Sequence, residues 1–169
     1  EIIYFLNQQR SLLALQKAEK MKKQAFADRY PYGIFSCIRT MGHIYKSRGN
    51  FDLSAQYYQE ALDYMLKNMP DQDPSQLYSS LAEYYRNTQK DYATALDYCE
   101  KALKSAKTER NIAQAMIEKC LVLFRQGRID EFNDCYKEAV QMADRCKLSA
   151  SVSLLIAHIS KNILDKQYE

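Results

Sequence analysis

One spacing pattern occurs three times in this chain, and that constrains the fold more than any single segment. Phe51, Ser54, Tyr58 and Ala61 fall at steps of three, four and three. Tyr92, Ala95, Cys99 and Ala102 repeat those steps, and so do Ile129, Phe132, Tyr136 and Ala139. The residue after each alanine is Leu62, Leu103 or Val140. A recurring pattern of this length is read as repeats before it is read as single helices. The segments upstream recur as well: Ile38, Met41, Gly42, Tyr45; then Tyr78, Leu81, Ala82, Tyr85; then Met116, Lys119, Cys120, Leu123. Each is a stripe at i, i+3, i+4 and i+7, the spacing of one helix face. Between the two stripes of each copy sit the short polar turns KSRGN, RNTQKD and RQGR. Gly49 and Gly127 suit a left-handed residue at a helix end. Lys90 takes that place in the second copy, where the turn is one residue longer.

Each copy therefore predicts a helix A, a turn and a helix B. The expected fold is all-α, a solenoid of antiparallel helix pairs forming one continuous domain over 1–169. Residues 34–69, 74–109 and 111–146 are the three repeats. Residues 1–30 are the second helix of a partial repeat, with Ala14, Ala18 and Met21 on its packed face. Residues 147–169 are a terminal capping element, in which Leu148 to Leu164 reads as one helix. Pro31, Pro70 and Pro74 mark the connections between repeats. Phe51, Ser54, Tyr58 and Ala61 are expected inside the stack. The small residues Gly42, Ala82 and Cys120 would let helices A and B approach, and Ala61, Ala102 and Ala139 would let helix B meet the next helix A. The chain starts EIIYFLNQQR, with no Met and no signal-like segment, so it is expected to be a piece of a longer protein.

Met41-Gly42, Tyr45, Gly49, Phe51, Ser54, Tyr58 and Ala61-Leu62 together resemble the tetratricopeptide repeat. The resemblance covers about residues 34 to 140. Spacings of 41 and 37 residues between the repeat alanines exceed the family's usual ~34. Lys119 also stands where the family prefers Leu, and its stem is expected to snorkel along the core edge. The resemblance implies that the solenoid is right-handed and that it is a binding module lined by helix A residues. The family's clamp for a C-terminal carboxylate is not implied: its places hold Arg39, His43, Ser80, Gln114 and Glu118, and only the first is similar. The stretches NMPDQDPSQLYSSLAEYYR and DYATALDYCEKALKSAKTERN further resemble long-period repeats in sensor regions of bacterial two-component kinases. That implies the periplasmic portion of a membrane-anchored signalling protein. The alternatives are a cytoplasmic receptor for a short signalling peptide and a plain protein scaffold.

The candidate ligand- or peptide-binding residues follow from the helix A faces. They are Arg39, His43 and Lys46 in the first repeat, Glu83, Arg86 and Asn87 in the second, and Gln114 and Glu118 in the third. Arg39, His43, Lys46 and Arg86 would form a basic strip suited to a carboxylate. Tyr57, Tyr64 and Tyr84 lie off the strictest stripes and are candidate surface contacts. Net charge is +3, from 24 basic and 21 acidic residues, too even for a nucleic-acid face. No apolar run reaches the ~20 residues of a membrane span. Five cysteines without CxxC and two isolated histidines predict free thiols and no metal site. No phosphate-binding glycine loop or nucleophile motif occurs. The expectation is a non-enzyme with no cofactor, whose partner is a protein or peptide, with self-association as a further partner.

Overall fold

The computed structural model describes residues 2–148 and 152–168. Eight α-helices follow one another, with no strand among the described residues: α1 (Ile2–Ala27), α2 (Pro31–Ser47), α3 (Phe51–Asn68), α4 (Ser75–Tyr84), α5 (Tyr92–Ser105), α6 (Glu109–Arg125), α7 (Ile129–Arg145) and α8 (Val152–Tyr168). A π-helical turn, Tyr85–Gln89, extends α4. Consecutive helices pack in pairs, as expected of an all-α helix-pair solenoid. The chain divides into two compact units, Glu1–Gln72 and Asp73–Glu169.

In the first unit α2 packs on both α1 and α3. Pro31 opens α2 at a position where its missing N–H costs nothing. Asn50 caps α3, its side chain accepting the N–H of Leu53. The interior holds Ile34, Phe35, Ile38 and Met41 from α2 against Tyr58, Ala61, Leu62 and Met65 from α3. Gly42 leaves no room for a side chain against α3: a methyl group built there would lie 2.7 Å from the Tyr58 ring. Two expectations fail in this unit. Phe51 is 47% exposed, because it is the first residue of α3 and its side chain has only the preceding turn to lie over. Met21 is 63% exposed, while Ala18 and Ala25 form the buried face of α1.

In the second unit α6 is central and packs on α4, α5, α7 and α8. Its Ala113, Ile117, Cys120, Leu121, Val122 and Leu123 are all buried. Asp91 caps α5 through the Thr94 N–H, and Thr108 caps α6 through the Asn111 N–H. Lys119 keeps the predicted register: it is half-buried, and its ammonium pairs with Glu100 of α5 at 2.6 Å. Leu148 is not helical. Its N–H closes the end of α7 on the Ala143 carbonyl, and α8 begins at Val152, with residues 149–151 outside the described residues. Ala157, Ser160 and Leu164 of α8 are buried, and Ile156, Ile159 and Ile163 are exposed.

The helix A to helix B turns follow one rule. The Asn50 N–H bonds the Tyr45 carbonyl and the Arg128 N–H bonds that of Leu123, with Gly49 and Gly127 left-handed between them. This is the six-to-one closure that a left-handed residue permits. In the second repeat the extra residue is absorbed by the π turn, so the Asp91 N–H reaches the Tyr85 carbonyl and Lys90 takes φ 55°. Arg29 and Lys147 adopt the same left-handed state at the ends of α1 and α7.

Candidate functional site

A polar groove of about 290 Å³ lies between α4 and α6. Gln76, Ser79, Ser80 and Glu83 form the α4 wall, and Arg110, Asn111, Gln114 and Glu118 form the α6 wall, with Leu148 closing one side. These positions recur at three- and four-residue steps, so each helix presents one continuous polar face to the other.

Both ends of the groove are cross-tied. At the helix starts, Asp73 is the junction. Its carboxylate accepts the Ser75 N–H at 2.9 Å, the Lys107 N–H at 2.7 Å and the Asn111 side-chain amide at 2.9 Å. Partial burial pushes the Asp73 carboxyl up, but these hydrogen bonds together hold it below the ordinary carboxylate range. Asn111 in turn accepts from the Gln76 amide at 3.2 Å. At the far end the Arg86 guanidinium donates to Glu118 at 2.7 Å and to Asn87 at 2.8 Å. Arg86 is 6% exposed and Glu118 3%, so this is a buried ion pair. It cancels the charge of Glu118, leaving Glu83 and Arg110 as the groove's charged groups of opposite sign.

Of the candidates read from the sequence, Glu83, Gln114 and Glu118 share this groove. Arg86 and Asn87 lie at its end, and Arg86 is turned inward. The expected basic strip is therefore corrected at Arg86: its charge is spent on Glu118. Sequence reasoning could not find this pair, because Arg86 and Glu118 lie 32 residues apart and Arg86 falls in a π turn that a regular helical spacing does not reveal. Arg110, Asn111 and Leu148 were also missed. Asp73, in an inter-repeat loop, carries no periodic signal at all.

Arg39, His43 and Lys46 lie on α2 in the first unit. The Arg39 guanidinium sits 5.3 Å from the Phe35 ring centre, with its Nε buried. His43 meets the Tyr58 hydroxyl through Nδ1 at 2.9 Å, its ring edge-on to the tyrosine. Desolvation first, then the charges of Arg39 and Lys46, push the His43 imidazolium down. His158 meets Tyr136, the repeat equivalent of Tyr58, in the same way at 2.5 Å. Both histidines thus bond a tyrosine of the neighbouring helix, and His43 remains exposed.

The tyrosines off the main stripes behave differently from one another. Tyr57 stacks on Tyr45 at 5.3 Å, as the equivalent Tyr98 stacks on Tyr85. Tyr84 is edge-on to Tyr85, and its hydroxyl accepts from Gln89. Tyr64 lines a shallow groove on α3 together with Phe26.

Paired helices, left-handed closures and small residues at each close approach define a helix-pair repeat protein. Residues 34–108 match the family model described as Tetratricopeptide repeat, which supports that family for the first two repeats. No curated protein matches the chain. Repeats of this family are generally non-catalytic, and they point to protein–protein interaction. No helix among the described residues is long and apolar enough to cross a membrane.

Proposed function

We propose that the chain is a peptide- or protein-binding module that holds an extended segment of its partner in the α4–α6 groove. One observation carries this reading: polar residues of two successive helix A faces, predicted separately, converge on one groove. Its Ser, Gln and Asn side chains offer both donors and acceptors, the complement of a peptide backbone. The charges of Glu83 and Arg110 flank it with opposite sign, which favours a neutral polar ligand over a strongly acidic or basic one.

We further read the module as the sensing portion of a bacterial signalling protein of the two-component kind, held outside the cytoplasm. The support is the sequence resemblance of residues 68–86 and 91–111. The flanking gene sequence tests it: a complete short reading frame would remove the sensor reading and leave the binding module standing.

The groove is tested by selecting peptides from a display library on the immobilised chain. Their affinities for Ser79→Arg are then measured by calorimetry. The arginine fills the groove, so binding should fall by at least about tenfold, or 1.4 kcal/mol, with the melting temperature unchanged. Unaltered affinity for every selected peptide would place the binding surface elsewhere.

A further inference from the structure

Cys120 of α6 and Cys135 of α7 bring their sulfurs to 2.8 Å. Both thiols are free. Cys120 is fully buried and Cys135 is partly exposed. Forming a bond of ~2.05 Å would move the sulfurs together by less than about 1 Å. The repeat register shows how unusual the pair is. The same two positions hold Gly42 and Tyr57 in the first repeat, and Ala82 and Tyr98 in the second. Only the third repeat places a thiol on both sides of its helix A–helix B junction.

The hydrogen bonds give the two thiols different roles. The Cys120 S–H donates to Cys135, and the Cys135 S–H donates to the Met116 carbonyl at 3.5 Å. The proton of Cys120 is held in the first bond, while that bond and the Lys119 ammonium favour a thiolate at Cys135. Cys135 is also the member that solvent reaches. It is therefore the attacking sulfur and Cys120 the resolving one.

We propose that Cys120 and Cys135 form a redox-active dithiol, which a small-molecule disulfide converts into a covalent bond between α6 and α7. In the first step the Cys135 thiolate attacks one sulfur of the reagent. A mixed disulfide forms and one reagent thiolate leaves. In the second, Cys120 loses its proton and attacks the Cys135 sulfur, expelling the second reagent thiolate. Two electrons pass from the protein to the reagent. The two thiol protons end on the reagent's two thiols.

The test uses the whole chain and oxidised glutathione. After incubation, free thiols are blocked under denaturing conditions and non-reduced peptides are mapped by mass spectrometry. The expected product joins the peptides of Cys120 and Cys135 with loss of two hydrogens, while Cys37, Cys99 and Cys146 are alkylated. Cys120→Ala is expected to fold, since Ala82 occupies that position in the second repeat, and to accumulate the glutathione adduct at Cys135. The oxidised wild type should melt at a higher temperature than the reduced form, and that difference should vanish in Cys120→Ala. Full alkylation of Cys120 and Cys135 after oxidation would overturn the proposal. So would a bond formed between any other two cysteines.

Discussion

Asp73 and the Arg86–Glu118 pair show how single residues carry the second unit. The folded carboxyl of Asp73 lies below its unfolded value of ~3.9. Its contribution to stability is therefore complete above that pH and is lost as pH falls through the lowered folded value. Asp73→Ala should lower the melting temperature near neutral pH and flatten the acid side of the stability–pH curve. Melts at successive pH values read both effects, and a variant with an unaltered acid limb would show that the clip contributes nothing. Burial makes the ion pair respond differently. Glu118→Leu strands the Arg86 cation and should cost about 3 to 5 kcal/mol in urea unfolding. Adding Arg86→Met should recover most of that loss, because both desolvation penalties then disappear. A double variant as unstable as the single one would mean that packing, not charge, is at stake.

At the scale of helices and turns, the close approach and the left-handed closure set the geometry. Gly42→Ala drives a methyl group into the Tyr58 ring and should destabilise by about 1 to 3 kcal/mol. Denaturant titration checks it. Lys90 occupies the left-handed site that glycine fills in the other two repeats, so Lys90→Gly should stabilise by about 1 kcal/mol. A loss of stability instead would mean that the lysine side chain supports the π turn. These features were the most legible in the sequence. Steps of three and four fixed each helix face, and Gly49, Lys90 and Gly127 fixed the turns, because both follow from local geometry. Phe51 and Met21 misled because periodicity names a face without saying what lies against it. The groove was half legible: Glu83, Gln114 and Glu118 follow from the helix A faces. Arg110 and Asn111 share that spacing, but periodicity does not mark where a helix begins, and Asp73 lies in a loop that carries no period.

For the whole molecule, the repeats share one plan and differ in what they do with it. In the first unit His43 bonds Tyr58 and Arg39 lies over the Phe35 ring. The second unit keeps a polar face open between α4 and α6 and brings two thiols together between α6 and α7. The cross-ties at the two ends of that face have a consequence for size selection. From Asn111 to Glu118 is seven residues of helix, a rise of about 10 Å. An extended chain advances ~3.3 Å per residue, so the distance between the ties accommodates about three ligand residues. So few atoms set a low ceiling on affinity. A partner held only here would exchange quickly, so a groove that binds as proposed would follow the partner's concentration from moment to moment.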